Sequence, residues 1–166
     1  MRNLRHTTGC LDETGSPPTV EQVIASHPFL QGLKPEHLEA LAAVAVRARF
    51  APGQVLFNEG DPANRFYLIE SGKIAIESRR EGATSARIQV LGAGEALGWS
   101  WLFPPYYWHF DARALEDTSA IFFYGPQLRE QCELDSDLGY SLVKRMAAVM
   151  IRRIQFTRAQ LIAAIG

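Results

Sequence analysis

The chain has 166 residues, 47% of them apolar and 21% charged, with a net charge of −1. That length supports one domain with a sizeable core, and the composition excludes a wholly disordered chain. Near-neutral charge supplies no general field toward nucleic acid or an anionic membrane, and no apolar run approaches the roughly 20 residues of a membrane span. The opening MRNLRHTTGCLDETG lacks the apolar core of an export signal. Cys10 and Cys132 make no paired-thiol or zinc pattern. Both features point to a reducing, cytoplasmic setting.

Residues 1–16 are polar and aperiodic and read as a flexible tail; residues 17–166 read as one domain. Its first part, 17–45, is helical. Pro17-Pro18-Thr19 opens a helix through Val20, Val23 and Ile24, with Glu21 placed to favour the helix dipole, and His27-Pro28 stops it. After a turn at 30–33, Pro35 takes the first position of a second helix with Leu38, Leu41, Ala42 and Ala45 on one stripe.

From Val46 the period changes from 3.6 to 2, and 46–125 reads as a β-roll. Val46, Ala48 and Phe50 alternate with Arg47 and Arg49 as a half-buried strand. Val55-Leu56-Phe57 predicts a short buried strand, and Phe66-Tyr67-Leu68-Ile69 another. Ile74, Ile76 and Ser78 alternate with Lys73, Ala75 and Glu77. Residues 79–85 form a charged hairpin tip, and Arg87 to Leu91 returns from it. Ala120 to Tyr124 is the last strand. Short strands with turn signals about every 8 to 12 residues predict an antiparallel roll or jelly roll.

Gly125-Pro126 ends the sheet, and 126–166 is helical again: a short helix over Gln127 to Glu133, then a long one capped by Asp135-Ser136-Asp137 and running to Ile165. Val143, Ala147, Met150, Ile154, Leu161 and Ile165 make an apolar seam that Leu142, Met146, Val149 and Phe156 widen. A helix apolar over so much of its surface needs partners on two sides. The roll is one, and the same helix of a second copy is the other, so a homodimer through the C-terminal helix is expected.

Between Gly92 and Ala114 lie Gly92, Gly94 and Gly98, an apolar turn, the Pro104-Pro105 corner and an outgoing strand at Ala112-Arg113-Ala114. Glycines so spaced let backbone N–H groups converge on an anion. The runs Gly53 to Asp61 (GQVLFNEGD) and Phe66 to Ile74 (FYLIESGKI) resemble the first half of a cyclic nucleotide-binding domain, as in catabolite activator proteins and the regulatory subunits of cyclic-AMP-dependent kinases. Gly94-Glu95-Ala96-Leu97-Gly98 is similar to the entry of that family's phosphate-binding cassette, and Ala114-Leu115-Glu116-Asp117 to its exit. The likeness spans about residues 27 to 160. The resemblance implies a β-roll with N-terminal helices and a long C-terminal helix.

It also implies a Glu directly after the last cassette glycine to hold the ribose, and an Arg about ten residues on to pair with the cyclic phosphate. Here Trp99 follows Gly98, and Trp108 stands where the Arg is expected, with His109 next. Loss of such a charge-assisted pair costs roughly 2–5 kcal/mol, so ordinary cyclic-AMP binding is not expected.

Seven aromatics fall between Trp99 and Phe110. Two readings follow: they fill the roll, or they line a pocket for a planar or apolar small molecule. The candidate ligand residues are Gly98, Trp99, Ser100, Trp101, Leu102, Trp108, His109 and Phe110. Alternation along the outgoing strand turns Trp108, Phe110, Ala112 and Ala114 toward the interior and His109, Asp111 and Arg113 away. Asp111 and Arg113 then read as an outer-face ion pair, and His109 as a polar contact at the pocket or a surface histidine.

Lys144, Arg145, Arg152, Arg153 and Arg158 make the long helix basic, but no base-reading element accompanies it, so no direct sequence-specific nucleic acid contact is expected. No catalytic residues, cofactor or metal are expected, since His6, His27, His37 and His109 are scattered and no nucleophile–base set is visible. The sequence thus predicts a non-catalytic sensing domain that signals through its C-terminal helix. An interaction module with a filled pocket, and a fragment of a cyclic-nucleotide-binding transcriptional regulator, remain as alternatives.

Overall fold

The computed structural model describes residues 15–80 and 83–166. Most of the expected tail and the centre of the expected hairpin tip lie outside the described residues. Two antiparallel four-stranded sheets face each other, with helices against one of them. In chain order the elements are α1 (Val20–Ser26), a 3-10 turn (Pro28–Leu30), α2 (Pro35–Val44), β1 (Val46–Phe50), β2 (Val55–Phe57), β3 (Arg65–Ser71), β4 (Lys73–Arg80), β5 (Ala83–Gly92), β6 (Ala96–Leu97), β7 (Asp111–Ala114), β8 (Thr118–Tyr124), α3 (Gly125–Leu134) and α4 (Ser136–Ile165). One sheet runs β1-β8-β3-β6 and the other β2-β7-β4-β5. This is the expected antiparallel β-roll with N-terminal helices and a long C-terminal helix.

The first sheet separates two cores. Tyr67 and Ile69 of β3 and Ala120 and Phe122 of β8 point into the roll, where they meet Phe57, Ile74, Ile76, Leu91, Leu97 and Trp108. Phe66 and Leu68, with Ile121 and Phe123, point to the other side and meet the helices through Leu30, Leu41, Leu128, Leu138, Leu142 and Met146. Apolar demand on both faces is why β3 and β8 read as continuous apolar runs.

Three local expectations are corrected. Val55 is exposed, because β2 is an edge strand and buries only Phe57. Ala75 and Glu77 of β4 are buried rather than facing water, since β4 is flanked on both sides by β5 and β7 and Arg113 of β7 reaches Glu77. The helix α3 begins at Gly125, with Pro126 inside its first turn. Proline there needs no N–H and already has a helical φ, so the Gly-Pro pair starts the helix as well as ending the strand.

Thr19 closes α1 with a capping box: its hydroxyl accepts from the Gln22 N–H at 3.3 Å and its N–H donates to Gln22 Oε1 at 2.7 Å. His27, buried behind it, accepts from the Phe29 N–H through Nδ1 at 3.2 Å and donates from Nε2 to the Ile69 carbonyl at 3.0 Å. Burial holds its pKa below the ordinary histidine value, so it serves as a neutral strut between the 3-10 turn and β3. Asp135 caps α4 by accepting from the N–H groups of Asp137 and Leu138, both at 3.1 Å, and buried His37 reaches the same carboxylate at 3.1 Å.

Along α4 the buried stripe is Leu138, Leu142, Met146 and Val149. The main seam expected from the sequence faces the other way: Val143, Ile154, Leu161 and Ile165 are exposed. No described helix is long and apolar enough to cross a membrane.

Candidate functional site

The cassette runs from Gly94, before the short β6, through the loop that leads to β7. Gly94 and Gly98 both hold positive φ, 84° and 93°, a region that an L side chain enters only with strain. Gly98 also meets a close neighbour. A Cβ built there would lie 2.6 Å from Cη2 and 2.8 Å from Cζ3 of Trp108. The indole ring therefore rests against the bare backbone of the last cassette glycine.

Trp108 is 3% exposed. Its ring stacks on Phe57 with centroids 3.7 Å apart and planes 8° apart. Phe57 in turn contacts Tyr67 at 6.2 Å and Phe110 at 5.9 Å. The backbone around the ring is held from outside by the turn after β2. Trp108 N–H donates to the Asp61 carbonyl at 2.9 Å, Gly60 N–H to the Trp108 carbonyl at 2.9 Å, and Ala63 N–H to the Tyr106 carbonyl at 2.7 Å. Three backbone bonds from a neighbouring turn thus fix residues 106–108 so that the ring enters the roll.

The eight candidate residues do not line one chamber. Gly98, Trp108 and Phe110 gather at the roll interior. Trp101 is fully buried in the helical core instead, edge-tilted on Phe66 at 5.5 Å, and its carbonyl accepts from Arg129. Leu102 borders an outer hollow beside Tyr106, Arg129 and Cys132. Ser100 is buried, and its hydroxyl has no hydrogen-bond partner among the described residues. His109 is exposed and stacks on Trp99, centroids 5.4 Å apart; it faces away from the roll, as alternation from Trp108 requires.

Asp111 and Arg113 share the outer face, but the expected pair between them is corrected. Arg79 reaches Asp111 at 3.0 Å, and Asp111 also accepts from the Glu59 N–H at 2.6 Å. Arg113 contacts Glu77 at 3.4 Å and donates to the Gly53 carbonyl at 3.2 Å. Side chains two apart on one strand face are about 7 Å apart, whereas cross-strand neighbours come closer. Arg113 is thereby committed outside the roll.

Two residues outside the candidate set matter here. Phe57 is the platform for Trp108, and its strand gave no sign of that beyond an apolar position at an edge. Arg153 was legible: the buried stripe spacing Leu142, Met146, Val149 continues to it at 4, 3 and 4 residues. It lies partly buried against the cassette, donating to the Ala96 carbonyl. Among the described residues no group of His, Cys, Asp and Glu side chains could hold a metal ion. Cys132 is free, and burial pushes its thiol up to about 11, so it is mostly thiol at neutral pH.

Comparison with known proteins agrees with the fold. The family model described as cyclic nucleotide-binding domain matches residues 47–135. The chain is 25% identical over 143 residues to a CRP-like cAMP-activated global transcriptional regulator of Mycobacterium tuberculosis, covering 86% of this chain and 63% of that one. It is 38% identical over 55 residues to a cAMP-dependent protein kinase regulatory subunit of Hypocrea atroviridis, 33% of this chain and 12% of that one. The fold matches the solved cyclic nucleotide-binding domain of Methylobacillus flagellatus with a TM-score of 0.74 at 15% identity, over 88% of this chain and 82% of that one. The chain thus spans about three-fifths of the Mycobacterium relative's length.

Proposed function

Because the chain belongs to the cyclic nucleotide-binding domain family, we propose that it is a non-catalytic regulatory domain whose roll is occupied by its own Trp108 rather than by a cyclic nucleotide. The observation that carries this reading is the Trp108 ring lying against Gly98 and stacked on Phe57. In the family resemblance, a cyclic phosphate and its Arg belong at that place. Here an apolar ring fills it, and the position after Gly98 holds Trp99 instead of a ribose-binding carboxylate. An anion in place of the ring would lie against the apolar faces of Phe57 and its neighbours, where desolvation is unfavourable.

The reading takes residues 17–166 as one unit, acting in the cytoplasm without sequence-specific contact to nucleic acid. Its output is α4. The cassette reaches that helix through Arg153 on the Ala96 carbonyl and through Arg129 of α3 on the Trp101 carbonyl, so a change in the cassette has two routes to it. A regulatory effect requires a ligand or partner with different affinity for two α4 positions.

Melting curves test the nucleotide claim. A ligand at about 100 times its Kd adds roughly 2.7 kcal/mol, which for a chain this size raises Tm by roughly 5–10 °C. We expect no rise with cAMP or cGMP; a rise of that size sinks the reading. The exposed face of α4 carries the dimer proposal. Ile154, Leu161 and Ile165 are 66%, 60% and 77% exposed, and an apolar stripe of this kind calls for a second helix. Light scattering should give twice the chain mass for the wild type and one chain mass for Ile154→Asp. A monomeric wild type, or a variant still paired, contradicts the assignment.

A further inference from the structure

Among the described residues Tyr106 alone, glycines apart, holds a positive φ, 60°. An aromatic residue in that left-handed region is strained, and this one stands two positions before Trp108. The strain and the placement of the indole ring are linked. Returning Tyr106 to a negative φ would turn the chain that follows it, and the Trp108 ring would no longer enter the roll.

Tyr106 is held from two sides. The turn after β2 gives the Ala63 N–H to its carbonyl at 2.7 Å. Arg129 of α3 lays its guanidinium over the ring, with Cζ 4.0 Å from the centroid, well within cation–π range. The same guanidinium donates to the Trp101 carbonyl. One side chain thus clasps the loop both before and after the Pro104-Pro105 corner. Its seat depends on bare backbone, since a Cβ at Gly125 would lie 3.0 Å from Trp101 Cβ and 3.5 Å from Arg129 Nη1. α3 is itself packed closely on α4, where a Cβ at Gly139 would come 2.7 Å from the Cys132 carbonyl oxygen. The guanidinium therefore moves with the helix pair.

We infer that Arg129 is a latch that keeps Trp108 in the roll, and that the strain at Tyr106 lowers the cost of the ring leaving once the latch is withdrawn. The inference rests on the filled-roll reading and makes the plug a releasable one. A shift of α3 away from the loop removes the ring contact and the Trp101 bond together. Tyr106 then relaxes, the backbone bonds of residues 106–108 open, and the apolar interior around Phe57, Tyr67 and Leu97 is uncovered. Any α3 position that keeps the guanidinium over the ring favours the closed state.

Hydrogen exchange on the full chain, read amide by amide, tests the latch. The N–H groups of Gly60, Ala63 and Trp108 report the opening, since each is bonded between the turn and residues 106–108. Arg129→Met should speed their exchange about tenfold or more, while fraying of β5, an edge strand of the second sheet, stays as in the wild type. Adding Tyr106→Gly to Arg129→Met should slow the three amides again several-fold, because glycine holds a positive φ without strain. Should Arg129→Met not fold, Tyr106→Leu removes the ring face alone and should speed the same amides several-fold. Unchanged exchange at the three amides overturns the latch, and a further rise on adding Tyr106→Gly overturns the part given to strain. A wild-type Tm raised by cAMP contradicts the filled roll itself, whereas indifferent amides contradict only the latch, so the two failures are distinguishable.

Discussion

Trp108→Ala should lower the melting temperature by roughly 10 °C or more and create a binding site for indole. The ring is 3% exposed and sits in the roll core with Phe57, Tyr67, Leu97 and Ala112. Removing a buried Trp typically costs about 3–5 kcal/mol, part from lost transfer energy and part from the hollow left behind. For a chain of this length each kcal/mol moves Tm by roughly 2–4 °C. The hollow would be walled by apolar side chains, and such cavities stay dry and accept apolar guests. Indole should therefore raise the Tm of the variant and not that of the wild type. A loss of stability without rescue by indole would mean that the ring does not shape an enclosed space.

Gly98→Ala should be about as damaging, for a different reason. At φ 93° an L side chain costs roughly 1–2 kcal/mol in the backbone alone. The new Cβ would also press to 2.6 Å from the Trp108 ring, and overpacking of this kind adds about 1–3 kcal/mol. Gly53→Ala is the control. Its φ is 82° and a Cβ there meets nothing within 4 Å, so it carries the backbone cost only. The contact part should vanish when Trp108→Ala is already present, and the double-mutant cycle should show a coupling above about 1 kcal/mol. Additive losses would place the ring elsewhere.

Much of the roll was legible because its signals are local. The change of period at Val46 marked the first strand, and Asp135 announced α4 through its capping chemistry. The runs from Gly53 to Asp61 and from Phe66 to Ile74 carry the family resemblance in local sequence. Alternation also placed Trp108, Phe110, Ala112 and Ala114 inside and His109 outside, as the structure has them. What failed depended on neighbours distant in sequence. Strand order decides that β2 is an edge and that Val55 is exposed, and no window of residues reports it. The ion pairs of Asp111 and Arg113 follow the register of β7 on β4 and the approach of Arg79, so adjacency in sequence misassigned them.

The dispersal of the candidate site has the same origin. Trp99, Trp101 and Trp108 lie within ten residues, but a loop has no period. Trp101 enters the helical core, Trp99 faces α4, and Trp108 is steered into the roll by backbone bonds from Gly60 to Ala63. Whether the aromatics fill the roll or line a pocket was open in the sequence. The contact between Gly98 and Trp108 favours filling at the interior.

Calorimetric titration of cAMP into the wild-type chain bears most directly on Trp108 holding the nucleotide's place. The account predicts no saturable heat, because entry would require expelling a stacked, buried ring from the place a phosphate would take. One cAMP taken up per chain with a roughly micromolar Kd, about −8 kcal/mol, would contradict it.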